Sequence, residues 1–170
     1  EKWSAYMELG FIGIGRMGAA MVDRLLRDDH QVTVYDRDAS ASENLVKKGA
    51  TRSLSIQNLI MELKTPRTIW IMVPSGENTD NIVNEVAETL SQGDAIIDGG
   101  NSYYKDSVRR ADILKTKGVE FLDVGVSGGL HGGKSGYSLM VGGEIDVYAR
   151  LKPIFQTLAP TDHTGYGHVG

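Results

Sequence analysis

A glycine motif between an apolar run and an amphipathic segment is the feature that most constrains the fold. Residues 13–18 read Gly-Ile-Gly-Arg-Met-Gly, which is the spacing G-x-G-x-x-G. An apolar run over 9–14 leads into the motif, and apolar residues at helical spacing follow over 18–27. A strand that passes through a tight glycine turn directly into a helix is the opening unit of a parallel sheet covered by helices.

The rest of the chain continues this alternation of strands and helices. Short apolar runs predict strands at 31–35, near 51, and at 68–73, 95–98, 119–124 and 137–141. Helical spacing predicts helices at 40–48, 55–62, 79–90, 106–117 and 147–158, the last with a kink or break at Pro153. The run over 68–73 is apolar on both faces and is expected at the centre of the sheet. The predicted fold class is α/β, a Rossmann-like, doubly wound, mostly parallel sheet with helices on both faces.

The glycine motif in this setting predicts a dinucleotide-binding loop. The first glycine allows the tight turn, the second lets backbone amides approach a pyrophosphate, and the third lets the helix pack closely. The candidate cofactor-binding residues of the motif are Gly13, Ile14, Gly15, Arg16, Met17 and Gly18.

Asp36 and Arg37 follow the second predicted strand, where the adenosine ribose of a dinucleotide would lie. The Asp36 carboxylate can accept hydrogen bonds from ribose hydroxyls and would repel a 2′-phosphate, which favours NAD over NADP. The Arg37 guanidinium could pair with a 2′-phosphate or stack on adenine, so NADP stays the alternative.

Composition excludes several other classes of function. The 170 residues carry a net charge of −4 and no cysteine, which argues against nucleic-acid binding, disulfides and zinc-thiolate sites. The longest strongly apolar stretch, 69–73, is too short to cross a membrane, and residues 1–6 do not resemble a secretory signal. The expectation is a cytoplasmic oxidoreductase with no membrane, nucleic-acid or metal partner.

The domain organisation is expected to be simple. Because Met7-Glu8-Leu9-Gly10 reads like a natural start, residues 1–8 are assigned to an amino-terminal extension or expression remnant. Residues 9–170 are assigned to one dinucleotide-binding domain.

Polar residues outside the motifs have ordinary interpretations. The histidines lack metal-ligand spacing and are expected at the surface or in loops, at positions 30, 131, 163 and 168. Lys134 is expected to be solvated, and Lys105, Arg109 and Arg110 are expected to form a charged helix face.

Two further glycine loops each follow an apolar run that reads as a buried strand. They are Asp98-Gly99-Gly100-Asn101-Ser102 and Asp123-Val124-Gly125-Val126-Ser127-Gly128-Gly129. With the first glycine motif and the Ser138-Leu139-Met140-Val141-Gly142-Gly143 stretch, they make the chain resemble the 6-phosphogluconate dehydrogenases, within the β-hydroxyacid dehydrogenase group. Relatives that act on 3-hydroxyisobutyrate have Asp-x-Ser-Thr in place of the first loop, so the phosphogluconate branch is preferred.

The resemblance implies oxidation of 6-phospho-D-gluconate at its 3-hydroxyl and decarboxylation to ribulose 5-phosphate. It implies that Asn101 contacts cofactor and substrate, and that Ser127, Gly128 and Gly129 bind the substrate. It also implies that Val73, Pro74 and Ser75 line the nicotinamide ribose.

The chain departs from this family in its catalytic groups. The family's base is a lysine and its acid a glutamate, on a helix after a strand and glycine turn like 161–170, and no residue of this chain can be assigned either role. The expectation is therefore a cofactor domain of a longer, homo-oligomeric enzyme, inactive alone and monomeric or weakly associating. A related 3-hydroxyacid dehydrogenase domain and a stand-alone dinucleotide-binding module are the alternatives.

Overall fold

A computed structural model describes residues 6–170, so most of the expected amino-terminal extension lies outside the described residues. Its strands are β1 Glu8–Ile12, β2 Gln31–Tyr35, β3 Thr51–Arg52, β4 Thr68–Ile71, β5 Ala95–Asp98, β6 Glu120–Ser127, β7 Ser138–Gly142 and β8 Tyr166–His168. Its helices are α1 Arg16–Arg27, α2 Glu43–Lys47, α3 Ile56–Met61, α4 Glu77–Thr89, α5 Tyr104–Lys115, α6 Gly132–Ser135 and α7 Ile145–Leu158. None of these helices is both long and apolar enough to cross a lipid bilayer.

The strands form one sheet whose order creates a crevice beside β1. The order is β3-β2-β1-β4-β5-β6-β7-β8, and β1 to β6 pair in parallel. β7 pairs antiparallel to β6, and β8 parallel to β7. The chain runs outward from β1 to β3 and returns to β4 on the other side, so the loops after β1 and β4 diverge. The doubly wound, mostly parallel fold is confirmed.

Helices cover both faces of the sheet, because alternate residues of the central strands are apolar on each side. Trp70 of β4 packs on the face covered by α1 and α7, and its neighbours Ile69 and Ile71 pack on the face covered by α3, α4 and α5. All four residues of β4 are buried, as expected for a central strand.

Trp70 is the centre of an aromatic group in the first of these layers. Its ring stacks on Phe11 at a centroid distance of 5.9 Å and lies tilted against Phe155 at 6.3 Å. The indole is fully buried, and its N–H lies against Gly99, where a Cβ atom would be 2.6 Å from Nε1. Each such aromatic pair contributes about 1 kcal/mol beyond the area that it buries.

Two predicted helices differ from the structure. The segment 40–48 divides into a 3₁₀ turn, Ala39–Ser42, and the short α2, because the Asp38 carboxylate accepts a hydrogen bond from the Ser40 amide and favours a tight turn. The prediction of a break at Pro153 is wrong, since α7 continues through it. Burial of Leu151, Ile154 and Phe155 holds this helix against the sheet on both sides of the proline.

His30 lies in the loop between α1 and β2, as predicted, but its side chain is buried there. Its Nδ1 accepts a hydrogen bond from the Met7 amide at 2.9 Å, which leaves Nε2 to donate to Thr157 Oγ1 at 2.7 Å. The Thr157 hydroxyl in turn donates to Asp28. This chain of bonds joins the start of β1, the α1–β2 turn and α7. Burial lowers the pKa of His30, which keeps the imidazole neutral.

Candidate dinucleotide-binding site

Two adjoining depressions form a cleft where the carboxyl ends of β1 and β4 diverge. The larger, about 460 Å³, extends toward Asp36 and Arg37, and the smaller, about 230 Å³, extends toward Gly99, Gly100 and Asn101. They share the residues Gly15, Met72 and Val73. The cleft therefore runs from the end of β2, across the glycine motif, to the end of β5. Below, the Asp36 side, where the adenosine of a dinucleotide would lie, is called the adenosine end, and the Asn101 side, where the nicotinamide would lie, the nicotinamide end.

The three glycines of the first motif have different surroundings. A Cβ atom on Gly13, which has φ +92°, would strike the Met72 carbonyl, and one on Gly18 would strike the Gly13 carbonyl. A Cβ atom on Gly15 would have no atom within 4 Å. Gly13 and Gly18 are thus needed for packing, whereas Gly15 leaves open space at the cleft.

The amino terminus of α1 opens onto this space. The helix begins after Gly15 with no side-chain cap and no acidic residue in its first turn. Its first amides and the positive end of its dipole are therefore available to an anionic group. A pyrophosphate fits this cradle, because unshielded backbone donors and room for its oxygens occur together.

Asp36 ties the end of β2 to the glycine motif. Its Oδ2 accepts from the Ile14 amide and its Oδ1 from the Asp38 amide, both at 2.9 Å. Each oxygen keeps a lone pair for a further donor, such as a ribose hydroxyl. The side chain of Ile14 itself is buried in the core, and Arg37 is exposed beside Asp36.

The loop after β4 forms the wall shared by both depressions. Val73 lines each of them, Pro74 lines the larger, and Ser75 is exposed beside them without lining either. The Thr79 hydroxyl donates to the Pro74 carbonyl at 3.1 Å and fixes the path of this loop.

One face of α4 lines the adenosine end, which sequence reasoning missed. Asn78, Asn81, Ile82 and Glu85 occupy positions i, i+3, i+4 and i+7 of the helix and border the larger depression. The helical spacing of these residues, three of which are polar, was visible in the sequence. Only the strand order places this face of α4 opposite Asp36.

At the nicotinamide end, Asp98 anchors the loop after β5. Asp98 is fully buried, its Oδ1 accepts from the Gly100 amide at 2.9 Å, and its Oδ2 accepts from the Ser102 hydroxyl at 2.6 Å. Asn101 follows with φ +53°, and its side chain reaches across to Val126 of β6. Asparagine tolerates this left-handed conformation better than most residues.

Arg110 supplies the positive charge that a buried carboxylate needs. The prediction of an exposed charged face is wrong for this residue, which is only 2% exposed and bonds Asp98 at 3.3 Å. It also bonds Asp80 at 2.8 Å. Burial alone would raise the pKa of Asp80, but hydrogen bonds from Arg110 and Arg109 outweigh that effect and lower it. An aspartate closing a wholly apolar strand was the sequence signal for such a partner.

Asp123 lies beside Asp98 on the neighbouring strand. The two residues are register partners of β5 and β6. Burial, followed by the charge of Asp98, raises the pKa of Asp123 above its usual range. Asp80, Asp98 and Asp123 therefore lie around the buried Arg110 guanidinium, next to the loop after β5.

Ser127, Gly128 and Gly129 lie exposed at the end of β6, next to the Val126 backbone that Asn101 contacts. The loop that follows rests on the ring of Tyr137, against which Cβ atoms on Gly128 or Gly132 would press. Tyr137 is fully buried, and its hydroxyl has no hydrogen-bond partner among residues 6–170. The glycines of this loop thus let its backbone pack closely against the Tyr137 ring, while residues 127–129 stay exposed.

Comparison with known proteins identifies the family. Residues 8–167 match the family model described as the NAD binding domain of 6-phosphogluconate dehydrogenase. The chain belongs to this family. It is an NAD(P)-binding domain of oxidoreductase type, as the glycine motif and the fold predicted.

Individual members of the 6-phosphogluconate dehydrogenase family are clearly similar to the chain. The NAD(+)-dependent, decarboxylating enzyme of Haloferax volcanii is 40% identical over 96% of this chain and 54% of that relative. The enzyme of the same name from Bacillus subtilis is 37% identical over 91% of this chain and 34% of the relative. The chain thus spans about half the length of the first and about a third of the second.

A solved structure extends the likeness to three dimensions. Plasmodium falciparum 6-phosphogluconate dehydrogenase, studied in apo form, with NADP+ and with 6-phosphogluconate, superposes with a TM-score of 0.88 at 29% identity. The match covers 96% of this chain and 37% of that one.

Most of the residues predicted to bind the cofactor meet at one cleft. Those that line it are Gly13, Gly15, Arg16, Met17, Gly18, Asp36, Arg37, Val73, Pro74 and Asn101. The predicted substrate residues after Val126 form the neighbouring edge. Lys134 is exposed, as predicted, in the short helix α6.

Proposed function

We propose that the chain is the cofactor-binding domain of an NAD-preferring, decarboxylating 6-phosphogluconate dehydrogenase. The reaction would oxidise the 3-hydroxyl of 6-phospho-D-gluconate and release CO2 from the resulting keto acid, giving ribulose 5-phosphate. The observation that carries the proposal is that Asn101, which lines the cleft, is hydrogen-bonded to the Val126 backbone. Val126 directly precedes the exposed residues 127–129, which we call the Ser127 edge. This link would hold a substrate directly beside the nicotinamide end.

The cofactor roles follow from the donors and acceptors of the cleft. The first amides of α1, beside the open space at Gly15, would hold the pyrophosphate. The free lone pairs of Asp36 would accept from the adenosine ribose. Val73, which lines both depressions, would border the nicotinamide ribose, with Pro74 and Ser75 following it in the same loop. When bound, the nicotinamide ring supplies the hydride acceptor.

Substrate would be oriented by Asn101 and the edge after β6. Asn101 uses one amide hydrogen and one carbonyl lone pair on Val126, which leaves one donor and one acceptor for ligands. Ser127 adds a hydroxyl, and Gly128 and Gly129 present backbone that no side chain shields. These groups suit a polyol carboxylate that must be held in one orientation.

We assign this domain to residues 9–170 and propose that turnover requires the rest of a full-length, oligomeric enzyme. The H. volcanii relative is nearly twice as long as the matched segment. The family's lysine base and glutamate acid have no counterpart that we can assign in residues 9–170. This chain alone would bind the dinucleotide without catalysis.

The preference for NAD rests on charge at the adenosine end. A 2′-phosphate on the ribose would approach the Asp36 carboxylate, whose oxygens already accept backbone hydrogen bonds and cannot turn away. The matched H. volcanii relative is NAD(+)-dependent by name, which supports this preference.

Calorimetric titration with NADH and NADPH tests the cofactor assignment. In Asp36→Asn the remaining oxygen can still accept from the Ile14 amide, so the tie to the glycine motif is kept while the negative charge and the hydrogen bond from the Asp38 amide are removed. The NADH-to-NADPH affinity ratio should fall about tenfold, whereas Asp38→Asn, which removes a nearby charge, should leave it unchanged. An unaltered ratio in Asp36→Asn would contradict the assignment.

The substrate assignment requires the full-length enzyme. Its kcat/KM for 6-phosphogluconate should exceed that for 3-hydroxyisobutyrate by at least about 100-fold, because a phosphorylated polyol offers many more groups to bind. A preference for 3-hydroxyisobutyrate would instead indicate a related 3-hydroxyacid dehydrogenase.

A further inference from the structure

Arg110 holds the loop at the nicotinamide end from below. Its guanidinium donates to Asp98 and Ser102, which are on that loop, at 3.3 and 3.0 Å. It also donates to Asp80 at 2.8 Å and to the Gly76 carbonyl at 3.4 Å, at the start of α4. Arg110 does not line either depression, so any influence on a ligand must pass through the loop.

Asp98 transmits this constraint to the cleft. One oxygen of its carboxylate accepts from Ser102 and Arg110, and the other accepts from the Gly100 amide. A rotation of the carboxylate toward a different cation would break the bond to Gly100. The positions of Gly100 and of Asn101, which both line the smaller depression, therefore depend on where Arg110 holds Asp98.

We propose that Arg110 is a positioning residue that fixes the 98–102 loop and thereby holds the nicotinamide half of the dinucleotide. The proposal rests on dinucleotide binding in the cleft, which is the first part of the proposed function, and is independent of the substrate.

The adjacent arginine provides a natural contrast. Arg109 also bonds Asp80, at 3.0 Å, but it is about half exposed, and its other bond goes to Asp106, away from the loop. When Arg110 is altered, Asp80 keeps Arg109 as a partner, so α4 and the adenosine end keep one of their anchors. Asp98, by contrast, loses its ion-pair partner.

The test compares NADH with ADP, which retains adenine, ribose and two phosphates but lacks the nicotinamide riboside. Calorimetric titrations use this chain with Arg110→Lys, Ser102→Ala and the control Arg109→Lys. Lysine keeps the charge but cannot bond Asp80, Asp98 and Ser102 together. In Arg110→Lys, NADH affinity should fall about tenfold and ADP affinity less than about twofold. Ser102→Ala should lower NADH affinity about threefold and leave ADP affinity nearly unchanged. Arg109→Lys should change the affinity for neither ligand.

Each other outcome has a definite meaning. Equal losses for NADH and ADP, or no loss, would show that Arg110 serves stability alone and would overturn the proposal. If Arg110→Lys does not fold, Ser102→Ala decides, because it removes the hydroxyl that bonds both Arg110 and Asp98 while their direct bond and both charges remain. Wild-type protein that binds neither ligand would contradict the proposed function itself.

Discussion

The Asn101 side chain forms two hydrogen bonds with the backbone of Val126, donating to its carbonyl at 3.2 Å and accepting from its amide at 2.9 Å. The two residues are 25 positions apart, on the loop after β5 and near the end of β6. The side-chain amide of Asn101 thus bonds to β6 in the way that the backbone of a neighbouring strand would, beyond the point where β5 ends. These two bonds fix the position of the Ser127 edge relative to the nicotinamide end of the cleft.

Substitutions at Asn101 should separate its backbone role from its side-chain role. Asn101→Gly loses both bonds to Val126 but accepts φ +53° freely, whereas Asn101→Ala loses the same bonds and adds left-handed strain. The free energy of unfolding in urea should be about 1 kcal/mol lower for the alanine variant than for the glycine variant. Equal stabilities would mean that the loop relaxes to an ordinary conformation.

Two glycines of the first motif should respond in opposite ways to alanine. Gly15→Ala should fold normally, since its φ of −63° suits alanine and its Cβ meets no atom, but NADH affinity should fall at least about tenfold. Gly18→Ala should lower the free energy of unfolding by about 1–3 kcal/mol, because its Cβ would press on the Gly13 carbonyl and on Phe11. Calorimetry and urea unfolding check the two effects. Full NADH affinity in Gly15→Ala would contradict its place at the cleft.

His30 should make stability depend on pH. Its folded pKa is lowered from 6.5 by burial, so the unfolded chain binds the proton more readily. Its contribution is complete above the unfolded pKa and is lost as the pH falls toward the folded value, with a slope of at most about 1.4 kcal/mol per pH unit. Urea unfolding between pH 7 and 5 should show this loss in wild type and in the exposed-histidine control His163→Gln. His30→Gln should have a flatter profile, and an identical profile would exclude His30 as the source.

Removal of the Tyr137 hydroxyl should stabilise the folded domain. Within the part of the chain that the structure describes, the buried hydroxyl has no hydrogen-bond partner, so Tyr137→Phe should raise the free energy of unfolding by about 1 kcal/mol. Gly132→Ala should lower the free energy of unfolding by about 1–3 kcal/mol, because its Cβ would overlap the Tyr137 ring. Thermal unfolding of both variants measures the expected gain in stability for Tyr137→Phe and the expected loss for Gly132→Ala. A marked loss in Tyr137→Phe would reveal a partner for the hydroxyl.

What could be predicted from the sequence was local along the chain. The turn at Gly13, the opening of α1 and the acidic residue Asp36 all follow from spacing within one strand-helix-strand unit. The missed features join distant segments: Arg110 pairs with Asp98 only because α5 packs beside β6 and α4, next to the end of β5. Likewise His30 is buried by Thr157, 127 positions away. Exposure of a charged residue is decided by such packing, which periodicity on one helix does not report.

The antiparallel β7 was a similar case. The run over 137–141 predicted a strand, yet its direction depends on the return path through the 128–136 loop and not on its own residues. The packing of Gly128 and Gly132 against Tyr137 makes that path compact. No pattern within five residues encodes such a contact.

The position of Trp70 gives this domain an optical signal at the nicotinamide end. The buried indole N–H lies against Gly99, so its emission should respond when the loop carrying Gly99 tightens around a ligand. Reduced nicotinamide absorbs light in the range where tryptophan emits, so energy transfer would add to the change. With Trp3, which lies outside the described residues, replaced by phenylalanine, Trp70 would be the single tryptophan and would report on the occupancy of the cleft.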